Sequence, residues 1–326
     1  LKIAVTGATG GLGRSLVEFL LQKNVEVAAL GRNREVGVEL TKIGAHFFQG
    51  EIGDTTVLKS AFSGCEIVVH CAGLASPWGK WESFYNSNVV GTAAVLDTMR
   101  DLNITKLVYI STPSVYFSGR PTINAKESDP LPEPQTFYSR SKLMADELVL
   151  EAVKSWRLNA VLLRPRAIFG PYDNAILPRI LRVMKKGIMP LADGGTALVD
   201  LTAVENVVHA IWLCINSKES FDGEIFNITN AEPMSVRDLT HKVAEILHLK
   251  VVFISFPMAL LLLMARLSEL YAKLFTGREP ALSMYAIQSL GITQTLNIEN
   301  AKKRLGYAPI ISLEKAISNF AERQKT

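Results

Sequence analysis

The stretch FYSRSK, residues 137–142, places a phenol and an ammonium four residues apart. On a helix, positions i and i+4 lie one above the other on the same face, so Tyr138 and Lys142 can point into one cavity, as a proton-transfer site needs. The same spacing also arises by chance on a solvated helix, so the rest of the chain must supply a partner for such chemistry. The octapeptide TGATGGLG, residues 6–13, supplies one. Gly7, Gly10 and Gly13 follow a buried strand and open a helix. The three glycines then have separate tasks: a tight turn, close backbone approach to a pyrophosphate, and close packing of helix on strand, with the helix N-terminus stabilising the anion. A second strand, Val25 to Leu30, completes the unit, which predicts a bound dinucleotide met by Gly7, Thr9, Gly10, Gly11, Leu12 and Gly13.

The end of that second strand discriminates between dinucleotides. An NAD site normally places Asp or Glu there to accept from the ribose 2′-hydroxyl, whereas this chain reads ALGRNRE, with Gly31 and Arg32 at the decisive spot. Arg32 can pair bidentately with a 2′-phosphate and Arg34 adds charge, so NADP(H) is favoured over NAD(H).

Positioning these groups falls to alternating short apolar runs and helical patterns. KIAV, VEVAAL, EIVVHCA and KLVYIS read as strands, and NAVLLRP (159–165) and EIFNIT (224–229) extend the same sheet. Such alternation predicts an α/β fold: a Rossmann-type doubly wound parallel sheet with helices on both faces. A smaller, mostly helical substrate domain is interleaved with it. Residues 1–165 form the dinucleotide-binding domain, to which about 202–230 return, and 166–326 form the substrate domain.

Bulk properties exclude several classes. The 326 residues are 48% hydrophobic and 20% charged, and a net charge of +4 without a basic run gives no case for nucleic acid. Cys65, Cys71 and Cys214 lack C-x-x-C spacing and the five histidines form no ligand set, so neither a disulfide framework nor a metal is expected. The first residues begin a strand at once, without the charged and apolar regions of a signal peptide, and a cytoplasmic home is expected. VVFISFPMALLLLMA, residues 251–265, falls short of the roughly 20 apolar residues a membrane span needs, and Pro257 interrupts it. After the proline, Met258, Leu261, Leu262 and Ala265 form an apolar side and Arg266, Glu269 and Lys273 a polar one, which predicts an amphipathic helix. Core or substrate-pocket wall is its expected role, with contact to a membrane surface as the alternative. Homodimerisation is left open.

TGATGGLG, GEIGD, HCAG, NSNVVGT, YISTPSVY, YSRSK and LRPRAIFGP, in this order and spacing, resemble the extended short-chain dehydrogenase/reductase superfamily across nearly the whole chain. The resemblance implies Tyr138 as general acid/base, Lys142 as the residue that binds the nicotinamide ribose and lowers the tyrosine pKa, and Thr112 as the hydroxyl that holds the substrate oxygen. Ser111 and Ser114 are the nearby alternatives for that hydroxyl. It further implies Glu51 and Ile52 at the adenine, Cys71, Ala72 and Gly73 flanking the cofactor, Asn88 beneath the site, and Pro165 at the start of the strap over the nicotinamide. Physical chemistry agrees with the central pair, because a phenol that titrates near ~10 works at neutral pH only if a neighbouring positive charge favours phenolate. Asp54, ahead of the helical TTVLKSAF, reads as an N-cap.

Within the superfamily, Pro113 and Ser114 stand where dehydratases carry an acidic pair, and Leu198 and Val199 precede Asp200 where nucleotide-sugar enzymes place an arginine for the diphosphate. Trp78, Trp81, Phe117, Phe169 and the Met258 to Leu274 segment instead suggest an apolar cleft with few polar anchors, Ser114 among them. That segment, with LSELYAKLFTGREPALS and NIENAKKRLGYAP, is similar to the carboxyl-terminal half of the 3β-hydroxysteroid and sterol dehydrogenase branch, which includes bacterial 2-alkyl-3-oxoalkanoate reductases. The implied activity is hydride transfer between NADP(H) and a hydrophobic alcohol or ketone. A nucleotide-sugar epimerase and a non-catalytic dinucleotide-sensing regulator are the competing readings.

Overall fold

Apolar runs of four to seven residues, too short for helices, make the centre of the molecule. In the computed structural model, which describes residues 1–173, 177–277, 279–280 and 282–323, these runs are β1 (Lys2–Thr6), β2 (Glu26–Gly31), β3 (His46–Gln49), β4 (Ile67–His70) and β5 (Lys106–Ile110). After β6 (Thr122–Ala125) leaves for another sheet, β7 (Asn159–Pro165) returns to the centre. The short β8 (Ile168–Phe169), β9 (Ile188–Ala192), β10 (Leu198–Val199) and β11 (Thr202–Ala203) lie outside it, and β12 (Glu224–Ile228) closes its edge. The central sheet has seven parallel strands in the order β12-β7-β5-β4-β1-β2-β3. Chain order reverses between β1 and β4, and the crevice outside the carboxyl ends of those strands is where such sheets bind ligands.

Side-chain alternation divides the strands between two cores. Ile3, Val5, Val27, Ala29 and Val69 face α1 (Gly11–Gln22) on one side, beyond which α2 (Arg34–Lys42) follows. Ala4, Ala28, Leu30 and Val68 face α3 (Thr55–Phe62) on the other. After the short α4 (Trp81–Phe84), α5 (Gly91–Asp101) and α6 (Phe137–Trp156) complete that second face. Burial of these apolar surfaces, roughly 25 cal/mol per Å², fixes the register of every strand because a one-residue slip would turn each set toward the wrong layer.

The remaining helices are α7 (Leu177–Met184), α8 (Val204–Asn216), α9 (Val236–Ile246), α10 (Met258–Tyr271), α11 (Met284–Gly291), α12 (Glu299–Leu305) and α13 (Leu313–Arg323); α7, α9 and α13 build a third core around Phe169, whereas α12 joins the first core through Ala301 and Leu305. Of these, α8 packs back on α1 in the first core. The strands β13 (Met234–Ser235), β14 (Val252–Phe256) and β15 (Gln294–Leu296) join small sheets: β13-β10-β15-β6 and β14-β9. Residues 278 and 281 of the quoted 267–283 stretch lie outside the described residues.

The helix expected after Pro257 is α10, and Leu261 and Ala265 are buried as its apolar side predicts. Its opposite side corrects the expectation. Leu260, Leu263, Met264, Leu267, Leu270, Tyr271 and Leu274 form an exposed apolar stripe, Leu267 being 59% accessible, with Arg266 and Lys273 along one edge. Glu269 is not on a free polar face, since its Oε1 accepts the N–H of Met284 at 2.7 Å and so ties α10 to α11.

Candidate active site

The turn from β1 into α1 is built for a close-approaching anion. Gly7 has φ +67°, and a Cβ there would lie 2.7 Å from the Ala72 nitrogen. A Cβ on Gly13 would meet the Gly7 carbonyl oxygen at 2.2 Å, so only glycine lets the helix pack on the turn. The N-cap, Gly10, brings no side chain to the first amides of α1, which leaves the positive end of the helix for a ligand anion. Uncapped amides and a cradle that a Cβ would fill fit the pyrophosphate of a dinucleotide. Above the turn, Tyr172 crosses close to Gly11, donates to Glu18 Oε1 at 2.5 Å, and has the Arg14 guanidinium 4.0 Å above its ring.

Beside the turn, the loop after β4 is held by a buried chain of hydroxyls. Thr92 donates to the Asn88 carbonyl at 2.6 Å, so its oxygen accepts from His70 Nε2 at 3.1 Å, and His70 Nδ1 accepts from Thr6 at 2.6 Å. Thr6 in turn accepts the Ala72 N–H at 3.2 Å. Burial holds His70 down to about 3, neutral throughout. Asn88, in a π-helical turn, accepts the Leu74 N–H at 2.6 Å and donates to Ser141 Oγ at 2.9 Å, which locks this loop to α6. Cys71, Ala72, Gly73 and Asn88 thus stand together as the sequence implies. Arg32 and Glu51 also meet, Nη1 to Oε2 at 3.7 Å on the surface, whereas Ile52 packs under Gly91 against the second core.

Thr112 follows the carboxyl end of β5 and N-caps a short 3-10 turn, Pro113–Tyr116, accepting the Ser114 N–H at 3.2 Å. Tyr138, in the first turn of α6, lies near enough for the Thr112 hydroxyl to favour its phenolate. That helix begins with a reciprocal capping pair: Thr136 accepts the Ser139 N–H at 3.0 Å and Ser139 Oγ accepts the Thr136 N–H at 3.1 Å. One turn on, Lys142 is 4% exposed and donates to Tyr109 Oη at 2.5 Å and the Ile110 carbonyl at 2.7 Å. Burial pulls Lys142 down to about 8, opposed by Asp146. Tyr138 moves the other way from the expectation: burial pushes the phenol up to about 12, against the pull of the Thr112 hydroxyl. Enclosure decides the direction, and the Lys142 ammonium directs two of its three hydrogens to Tyr109 and Ile110.

Other assignments change. Ser111 is no substitute for Thr112, because it donates to both Asp146 carboxylate oxygens at 2.7 and 2.8 Å. Ser114 remains beside the site, accepting from Thr112 at 3.1 Å and lying 3.5 Å from the Tyr285 hydroxyl. Phe169 is not a substrate contact: at 1% exposure it is part of the third core, since the alternation of β8 turns it inward. Trp81 stacks among Tyr85, Phe137 and Arg140 at the start of α6, Trp78 lies just before α4, and Pro165 is buried at the end of β7. Asp54 caps α3 through the amides of Thr56 and Val57.

Sequence reasoning missed Tyr109, Asp146, Arg164, Arg166 and Tyr285. Asp146, one further turn along α6 from Lys142, was legible from spacing. So was Arg164, an arginine inside a buried strand, which calls for a carboxylate; its Nη2 donates to Asp146 at 3.0 Å and its Nη1 to Tyr116 at 2.7 Å. Tyr285 comes from far down the chain and carried no local signal.

Residues 3–229 match the model of the NAD dependent epimerase/dehydratase family. Three relatives align over nearly the whole chain. The uncharacterized protein YbjS of Escherichia coli is 34% identical, over 98% of this chain and 97% of its own. A 2-alkyl-3-oxoalkanoate reductase of Shewanella oneidensis is 31% identical over 97% and 84%, and a decarboxylating sterol-4-alpha-carboxylate 3-dehydrogenase of Mus musculus 29% over 98% and 90%. In fold, the chain superposes on a Thermotoga maritima UDP-glucose 4-epimerase with a TM-score of 0.80 at 20% identity, covering 100% and 99% of the two chains. With the glycine cradle at the switch point of the sheet and the threonine, tyrosine and lysine gathered at its carboxyl edge, the chain belongs to the NAD dependent epimerase/dehydratase family, as an extended short-chain oxidoreductase that uses a nicotinamide dinucleotide.

Proposed function

We propose that the protein is an NADP(H)-dependent oxidoreductase that interconverts a ketone and a hydroxyl on a hydrophobic substrate, a steroid-like or long-chain 3-oxo or 3-hydroxy compound. The observation that carries this reading is the Thr112–Tyr138 hydroxyl pair with Lys142 buried one helical turn behind it. A nicotinamide dinucleotide, when bound at the glycine turn, would supply the hydride chemistry. Tyr138 gives its proton to the carbonyl oxygen while Thr112 holds that oxygen in place. A phenol pushed up to about 12 is protonated at neutral pH, the state that reduction requires. Lys142 would supply positive charge to the developing phenolate and would hold the ribose of a bound cofactor. The Shewanella and mouse relatives, a 2-alkyl-3-oxoalkanoate reductase and a sterol-4-alpha-carboxylate 3-dehydrogenase, support the substrate class. Arg32 at the end of β2, where a carboxylate would select NAD, supports NADP(H).

Purified protein should oxidise NADPH faster than NADH in the presence of hydrophobic 3-oxo compounds. Tyr138→Phe should lower turnover by roughly 10²- to 10⁴-fold with NADPH affinity intact. Arg32→Ala should weaken NADPH binding by about ten- to a hundredfold and leave NADH unchanged. Full activity in Tyr138→Phe sinks the proton-transfer role. Melting temperatures raised by UDP- or GDP-sugars, with apolar ketones inert, transfer the protein to the epimerases.

We also infer that the apolar stripe of α10 meets a lipid surface from the cytoplasmic side, where such a substrate is taken up. Among the described residues no helix is long and apolar enough to cross a membrane, so the contact is peripheral.

A further inference from the structure

Arg164 lies at the end of β7 and Arg166 just beyond it, and their surroundings differ. Arg164 is satisfied by Asp146 and Tyr116. For Arg166, among the described residues, no side chain or carbonyl accepts a hydrogen bond from the guanidinium, and its Nε is buried without a partner. Asp200, the carboxylate whose charge acts on it, forms no ion pair with it and gives an oxygen to the Leu296 N–H at 2.8 Å. Arg166 lines a small pocket with Pro113, Tyr116, Thr122, Gln294 and Thr295. This pocket adjoins the reacting groups: Pro113 follows Thr112 directly, and the Tyr285 hydroxyl, 3.5 Å from Ser114, acts electrostatically on both Tyr138 and Arg166. Burying the guanidinium Nε without an acceptor is costly, and the cost is recovered when an anion enters the pocket.

We propose that Arg166 is the anion-binding residue of the substrate pocket and selects oxo substrates that carry a carboxylate close to the reacting carbonyl. This rests on the ketoreductase reading above and replaces the expectation of a cleft without a charged anchor. A planar, bidentate carboxylate matches the guanidinium fork, and one arginine with Asp200 nearby suits a single negative charge better than a diphosphate. Burial draws Arg166 below its ordinary range, with Tyr285 and Asp200 opposing, as expected of a cation short of partners.

NADPH oxidation with 3-oxodecanoate and with its methyl ester, in the unmodified protein, Arg166→Gln and Arg166→Lys, tests the assignment. The acid should show a KM roughly ten- to a hundredfold below that of the ester, a preference lost in Arg166→Gln and partly kept in Arg166→Lys. Equal use of acid and ester, or a preference that survives Arg166→Gln, overturns it. Should neither compound be reduced, the ketoreductase reading fails, and equilibrium binding still decides the anchor. Decanoate should then bind more tightly than decanol only where Arg166 is present, whereas equal binding, or stabilisation by UDP-glucose instead of decanoate, refutes it.

Discussion

Lys142 keeps its charge against its surroundings. Its ordinary pKa of 10.5 falls to about 8 because burial penalises the ammonium more than Asp146 favours it. Below pH 8 folded and unfolded chains both hold the proton, so the group adds no pH dependence. Between 8 and 10.5 the unfolded chain holds a proton that the folded one has released, and stability attributable to this residue rises with pH by about 3 kcal/mol. Lys142→Met should abolish that rise, measured as the difference between the two proteins in urea unfolding across the window; a parallel pH dependence in both would show that the lysine titrates normally. Activity moves oppositely. As Lys142 loses its charge above pH 8, support for the Tyr138 phenolate is lost, and turnover should fall with an apparent pKa near 8.

Elements are tied together beneath the site by one buried ion pair. Asp146 on α6 and Arg164 on β7, each 2% exposed, meet at 3.0 Å. Ser111 after β5 donates to the carboxylate, and Tyr116 passes from Arg164 to Asn227 on β12 at 3.0 Å. Three adjacent strands, α6 and the 3-10 turn that Thr112 caps therefore share a single set of hydrogen bonds. Removing one partner strands a buried charge, which costs about 3–5 kcal/mol, more than the pair itself adds. Asp146→Ala should lower unfolding free energy by that amount and loosen the placement of Thr112, seen as a fall in kcat with little change in NADPH affinity. A variant as stable as the unmodified protein would show that water or a shift of Arg164 replaces the carboxylate.

At the scale of the whole molecule, the catalytic edge and the apolar exterior are joined through one helical pair. α11 carries Tyr285 to within 3.5 Å of Ser114, and α10 packs on α11 with its stripe turned outward. An apolar face flanked by Arg266 and Lys273 matches the boundary between acyl chains and anionic headgroups. The protein should therefore cosediment with phosphatidylglycerol-containing vesicles, less at high salt, and the double substitution Leu263→Glu and Leu267→Glu should release it without changing its melting temperature. A concentration-dependent dimer lost in the same variant, with no vesicle binding, would assign the stripe to a second copy of the chain.

By itself the sequence determined the parallel sheet, the glycine turn, the Asp54 cap and the placement of Tyr138 and Lys142 one turn apart on a helix, because each depends on neighbours within a few residues or on the two-residue and 3.6-residue periods. That Arg32, Glu51 and the loop around Cys71 follow the carboxyl ends of β2, β3 and β4 was legible for the same reason, whereas the contact of Arg32 with Glu51 was not. Only the tertiary structure decided the rest. Whether Tyr138 is a stronger or weaker acid depends on how much protein encloses it and on where the ammonium of Lys142 is bonded, and neither is a property of local spacing. Phe169 and Leu267 are both large apolar residues, yet one is core and the other surface, since burial is set by which face another element covers. The contrast between Arg164, bonded to groups 18 and 48 residues away on α6 and the 3-10 turn, and Arg166, left facing a pocket closed by Gln294 and Thr295 from far down the chain, arises from packing between separate segments.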